Sequence, residues 1–167
     1  MKKIPKIGLD IDNCIANFDL GYLKRFGKFP EKDWCITRNV NNILIKEKAF
    51  WLGLPVLRRP NFVPTLYCSV RVNPHQWTKT YLKRNNLPNA RLYQIKGGWG
   101  SSKYDVLKNK IDLFIDDSIG NFEDLNSKGL LCFLITSNSN KDYQTDLRIN
   151  TLNIEEIMEL YMKYYNK

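Results

Sequence analysis

Five short runs of near-continuous apolar, β-branched or aromatic residues punctuate the chain: Lys6 to Ile11, Thr65 to Ser69, Arg91 to Ile95, Ile111 to Ile115 and Leu130 to Ile135. Each is bounded by polar residues, Gly or Pro, the pattern of a buried strand. Helical patterns lie between them. Asn73-Pro74 reads as an N-cap followed by Pro at the first helical position, opening a helix through about Asn86. Ser101-Ser102 is placed to cap a short helix through about Lys110. Asn121 to Ser127, followed by Gly129, reads as a helix with a C-terminal glycine. Asn153 with Glu156 three residues on has the spacing of a capping box, ahead of apolar Ile154, Ile157, Leu160 and Tyr161.

Strands alternating with helices predict an α/β fold: a Rossmann-like, mostly parallel sheet with helices on both faces. Sites in such sheets lie beyond the carboxyl ends of the strands. The residues predicted there are Asp10 and Asp12, Ser69, and Asp116 and Asp117. One stretch breaks the alternation. Residues 18–62 carry no clear strand, and they interleave aromatics such as Phe18, Tyr22, Trp34 and Trp51 with Lys and Arg. The stretch is too long for a simple loop and too aromatic for a flexible linker. It predicts a small helical cap inserted after the first strand, with the α/β core formed by residues 1–17 and 63–167.

Composition narrows the picture further. A chain of 167 residues is about one domain, long enough to bury a core without disulfides or a structural metal. The 26 basic residues outnumber the 17 acidic ones, a net charge of +9 that favours anionic partners such as nucleotides, phosphorylated substrates or nucleic acid. A chain rich in Lys, Asn, Ile and Tyr and poor in Ala also fits AT-rich coding, so the charge has a compositional reading too. Cys14, Cys35, Cys68 and Cys132 form no C-x-x-C pair and read as reduced thiols packed as small hydrophobes. No apolar run reaches the roughly 20 residues of a membrane helix. The basic start, Met1 to Lys6, leads into no apolar leader segment. The expectation is a cytoplasmic protein, encoded by a cell or by a virus or phage.

The candidate chemistry is acidic. At a strand end, residues i and i+2 point to one side, so Asp10 and Asp12 share a pocket. Paired carboxylates repel, and a hard divalent cation such as Mg²⁺ relieves them. The same D-x-D also fits a solvated turn or a helix cap. Asp116-Asp117 follows a second buried run and asks again for a metal, while Asp117 or Ser118 equally suits the cap of the next helix. Ser69, with the backbone that follows and Arg71, can hold a phosphate; alone, Ser69 is an ordinary turn residue. Lys103 sits unfavourably at a helix start, which points to an anion; Lys108 or Lys110 fits the same role. His75 carries no assigned role.

In order, Ile7-Gly8-Leu9-Asp10-Ile11-Asp12, Tyr67-Cys68-Ser69, Lys103 and Phe114-Ile115-Asp116-Asp117 resemble the motifs of the haloacid dehalogenase-like (HAD-like) phosphohydrolase superfamily. Ala16-Asn17-Phe18 and Phe50-Trp51-Leu52-Gly53-Leu54-Pro55 resemble the 5'(3')-deoxyribonucleotidase-like branch. Asn13-Cys14 stands where many members carry Gly-Val or Gly-Thr, and Cys68-Ser69 where that branch has Thr-Ser.

The resemblance implies a Mg²⁺-dependent phosphomonoesterase, a 5'(3')-nucleotidase acting on nucleoside monophosphates. Asp10 would be the nucleophile and Asp12 the general acid and base. Ser69, Arg71 and Lys103 would bind phosphate. The metal would be held by Asp10, the Asp12 main chain and one or both of Asp116 and Asp117. The cap aromatics Phe18, Tyr22, Trp34 and Trp51 offer faces for a nucleobase, or else form the cap's own core. Rival readings are a phosphatase on polynucleotide ends, a receiver-like module that accepts phosphate, and a nucleic-acid-binding module with the same pocket.

Overall fold

The computed structural model describes residues 4–30, 42–96 and 102–166. Six strands form one sheet: β1 (Ile7–Leu9), β2 (Leu66–Val70), β3 (Arg91–Ile95), β4 (Leu113–Asp116), β5 (Cys132–Ile135) and β6 (Arg148–Ile149). Their order is β3-β2-β1-β4-β5-β6, and every pairing is parallel. The helices with both ends among the described residues are α1 (Phe18–Phe26), α2 (Lys48–Leu52), α3 (His75–Arg84), α4 (Tyr104–Leu107), α5 (Ile119–Ser127) and α6 (Ile154–Tyr165). This is the expected Rossmann-like α/β architecture. The chain leaves β1 toward β2 and β3, then crosses to β4 on the other side of β1. That reversal opens a crevice at the carboxyl ends of the central strands.

The two-residue period of the strands builds a core on each face. Leu9, Tyr67, Leu113, Ile115, Phe133 and Ile135 face one side, under Tyr81 of α3 and Ile157 of α6. Leu66, Cys68, Phe114, Cys132 and Leu134 face the other, under Leu107 of α4 and Phe122 and Leu125 of α5. Gly8 belongs to the second face by alternation. A Cβ there would come within 2.9 Å of both Ile111 and Phe114, so the position admits no side chain without repacking. Cys14, Cys68 and Cys132 are buried free thiols, as the sequence suggests; Cys35 lies outside the described residues.

The 18–62 stretch carries α1 and α2. Its two ends meet, since Ala16 bridges Val56 and the Asn17 amide donates to the Pro55 carbonyl. Phe18, Tyr22, Trp51 and Leu54 join the same apolar cluster as β1, β4 and β5. The insert and the sheet therefore share a core.

Several local expectations are corrected. β6 was not expected; two residues, Arg148 and Ile149, are too short to leave an apolar run. Pro74 takes the N-cap position of α3, and the Asn73 side chain instead donates to Thr78 Oγ1 and the Pro74 carbonyl. Helix α5 begins at Ile119, and Ser118 rather than Asp117 caps it by accepting from the Asn121 amide. Asn153 does cap α6, accepting from the Glu155 amide, but Glu156 reaches back past it to the Asn150 and Thr151 amides. No helix among the described residues is long and apolar enough to cross a membrane.

Candidate active site

The site is built where three strands end. Asp10 follows β1, and its amide donates to the Ile115 carbonyl, extending the β1–β4 pairing by one step. The chain then turns tightly: the Ile15 and Ala16 amides both donate to the Ile11 carbonyl. Asn13 makes this turn possible with a left-handed backbone, φ 54°, a conformation Asn tolerates better than most residues. Its side chain is latched to the start of α1, with Nδ2 donating to Asp19 Oδ1 at 2.9 Å and Oδ1 accepting from the Asp19 amide at 3.0 Å.

Lys103 is a buried cation of the site. Its Nζ donates to Asp10 Oδ1 at 2.5 Å and to Asp116 Oδ2 at 2.7 Å. Lys103 precedes α4, and the Tyr104 amide is satisfied by Ser102 Oγ. Lys108 and Lys110 are exposed and pair elsewhere: Lys108 with Asp105, and Lys110 with the Val106 carbonyl. Asp116 is held by the Ser118 amide and by Asn121 Nδ2. Asp117 follows it, and its carbonyl accepts from Asn140 Nδ2 at 2.7 Å.

Asp12 is gripped from the other side. Arg71 Nε and Nη2 donate to its two carboxylate oxygens at 2.8 and 2.6 Å, and Ser69 Oγ donates to Oδ2 at 3.3 Å. Arg71 is itself buried, its guanidinium 5.0 Å from the Trp51 ring centroid and 5.9 Å from that of Tyr81. Its Nη1 reaches Thr78 Oγ1 of α3, which in turn donates to Gln94 Oε1 of β3. A two-point fork of this kind fixes the plane of a carboxylate as well as its position.

The sequence-derived candidates therefore divide. Asp10, Asp12, Ser69, Arg71, Lys103, Asp116 and Asp117 converge at one end of the sheet. Within that set, Arg71 differs from expectation: its guanidinium is spent on Asp12 and Thr78 rather than open to a phosphate. The aromatic candidates are corrected too. Phe18, Tyr22 and Trp51 are buried core rings, not open stacking faces. Phe18 packs against Phe50 and Trp51 at centroid distances of 5.7 and 6.0 Å, and Trp51 Nε1 donates to the Leu44 carbonyl. The physical reason is area: large rings in a short insert are needed to bury it against the sheet. Trp34 lies outside the described residues.

Supporting residues were missed by sequence reasoning. Arg58 clasps the loops around the site, donating to the carbonyls of Asn13, Thr136 and Asn150. Asn140 is fully buried and ties Asp117 to β5 through the Ile135 carbonyl. Asn13, directly after D-x-D, carried a legible signal in its turn propensity. Arg58 and Asn140 carried none, because their partners are backbone atoms distant in sequence.

The electrostatics ask for another cation. Asp10, Asp116 and Asp117 place carboxylate oxygens within 4.8 Å of one another. With Asp12, four carboxylates meet two side-chain cations among the described residues, Lys103 and Arg71. Burial pushes Asp10 up to about 7, with Asp116 and Asp12 adding to the rise and Lys103 opposing it. Burial and the Asp116 and Asp10 charges likewise hold Asp117 well above the carboxylate range. Burial pulls Lys103 down, but Asp10 and Asp116 outweigh it and keep its ammonium well above the ordinary lysine range. An all-oxygen, charge-excess donor set, with Asp10 and Asp116 buried and Asp117 half-buried, fits a small hard divalent cation. The Asp12 carboxylate is not part of that set.

This has a measurable consequence in the cation-free protein. A carboxyl raised on folding favours the folded state at low pH, and that contribution is lost as pH rises through the folded-state value. For Asp10 the window runs from about 4 to about 7. In chelator, the melting temperature of Asp10→Asn relative to the wild type should therefore rise as pH goes from 5 to about 8. A difference that stays flat with pH would contradict the burial of an ionisable Asp10.

No protein-family model matches the chain, and no curated protein matches its sequence at a significant level.

Proposed function

We propose that the protein is a divalent-cation-dependent phosphomonoester hydrolase acting on nucleoside monophosphates. The observation that carries this reading is the convergence, at the carboxyl ends of β1 and β4, of Asp10 and Asp116 on one buried Lys103, beside an Asp12 oriented by Arg71. The nucleotide preference follows from the resemblance and the +9 charge. The Phe18, Tyr22 and Trp51 rings do not supply it.

In this reading a carboxylate oxygen of Asp10 attacks phosphorus, and the bond from phosphorus to the ester oxygen breaks. Asp12 supplies the proton that the leaving oxygen takes up. Asp12 then removes a proton from water as that water attacks the same phosphorus, freeing Asp10 and releasing inorganic phosphate. Lys103 holds Asp10 in place for attack and adds positive charge where the phosphoryl oxygens gather it. Ser69 offers a hydroxyl at the same edge. Arg71 keeps the Asp12 carboxylate turned into the site. Asp10, Asp116 and Asp117 are the residues that would hold Mg²⁺, with the Asp12 main chain as a further ligand. When bound, the ion neutralises charge so that a carboxylate can approach a phosphate dianion.

The test is phosphate release from 5'- and 3'-nucleoside monophosphates, an aryl phosphate and 3'- or 5'-phosphorylated oligonucleotides, each with Mg²⁺ or with EDTA. The reading expects release from mononucleotides that EDTA abolishes and added Mg²⁺ restores. Release unaffected by EDTA, or no release from any ester, would overturn it. Release confined to the oligonucleotides would keep the chemistry and replace the substrate.

A further inference from the structure

A second charged feature lies at the opposite end of the sheet from these aspartates. A cleft of about 310 Å³ opens beside the amino ends of β1, β4 and β5, lined by Lys6, Tyr104, Lys108, Lys110 and Asp112 among others. Tyr104 lines it, and Tyr93 is joined to it through Lys110; both rings are half-buried against the second core face, and each carries two cations. Lys108 and Lys128 both place Nζ 5.7 Å from the Tyr104 ring centroid. Arg91 and Lys110 lie 4.9 and 5.5 Å from the ring of Tyr93 on β3, an edge strand of the sheet. Lys110 thus belongs to both the cleft and the Tyr93 ring, which makes the feature continuous.

We propose that this face is a docking surface for single-stranded nucleic acid. Cations alternating with aromatic rings are what a flexible polyanion with stackable bases requires: phosphates take the lysines and arginine, and bases take the rings. Three carboxylates share the face. Asp105 pairs with Lys108 at 2.9 Å, Asp124 pairs with Lys128 at 2.6 Å, and Asp112 lines the cleft. The two ion pairs are exposed, and pairs of that kind are weak in water, so a chain of phosphates displaces them. The cations over the rings are similarly weakly held at exposed sites. None of these residues belongs to the phosphatase machinery, so the inference stands or falls independently of it.

The experiment is fluorescence anisotropy of a labelled single-stranded oligonucleotide with the full chain, in chelator to prevent turnover. With about four phosphates neutralised, affinity should fall about 50-fold between 50 and 200 mM salt. Lys108→Glu/Lys110→Glu should weaken binding at least tenfold, and Lys108→Gln/Lys110→Gln should do so to a lesser degree. Asp10→Asn should bind like the wild type. Tyr93→Leu should weaken binding about tenfold while leaving the salt slope unchanged. Unaltered affinity in a folded Gln or Glu variant would overturn the proposal. So would equal affinity for polyglutamate of matching charge, which would make the face a general acidic-ligand surface. Equal affinity for duplex of the same length would overturn it as well.

Discussion

Replacing Asp10 with asparagine is expected to abolish phosphate release while the protein stays folded. The amide keeps the size of the carboxyl and can still accept from Lys103, so the contact at 2.5 Å has a successor. What it loses is the proposed nucleophile. Removing a residue that forms the covalent bond lowers kcat by roughly 10⁴-fold or more, equivalent to about 5 kcal/mol or more of barrier. The far-ultraviolet circular dichroism of the variant should match the wild type. Rates within tenfold of the wild type, in protein purified free of contaminating phosphatase, would assign the attack to another group.

The second large effect concerns Arg71. Its guanidinium is fully buried, pairs with both oxygens of Asp12 and lies against Trp51 and Tyr81. Truncating one partner of a buried pair leaves the other charge uncompensated, which costs about 3–5 kcal/mol. Arg71→Ala is therefore expected to lower the stability to urea by that amount and to lose most activity. Arg71→Lys separates the two roles. It keeps the charge and loses the fork, since an ammonium is a point donor without the planar two-point geometry. The Lys variant should fold, keep KM within a fewfold and lose kcat by about 10- to 100-fold, the scale of a misplaced catalytic group. A Lys variant with wild-type kcat would show that the orientation of Asp12 does not limit the reaction.

The four inner strands, β2, β1, β4 and β5, were legible because they are buried on both faces and therefore read as continuous apolar runs. Leu66–Val70 and Cys132–Ile135 needed nothing else. The acidic end of the sheet was legible for a related reason: Asp10 and Asp116 are charges set directly against such runs, a placement that suits a site as well as a turn or a helix cap. Burial of the cap rings was not legible. Phe18 and Trp51 have the same composition as a base-stacking surface, and only the packing against β1 and β4 distinguishes the two. Arg71 shows the same limit. Its place two residues after Ser69 suits a phosphate ligand, and the choice of Asp12 instead depends on how the tight turn through Asn13 aims that carboxylate. Lys103 was distinguishable from Lys108 and Lys110 only once its stem was seen buried and theirs exposed.

The most direct test of the central claim is to look for the phosphoryl group on the protein. A nucleoside monophosphate turnover with Mg²⁺ would be quenched in acid and the peptide carrying Asp10 examined by mass spectrometry. The account predicts a phosphoryl group on Asp10 that appears only during turnover and is absent from Asp10→Asn. Steady phosphate release with no phosphoryl group on Asp10, or with one on a different side chain, would contradict it.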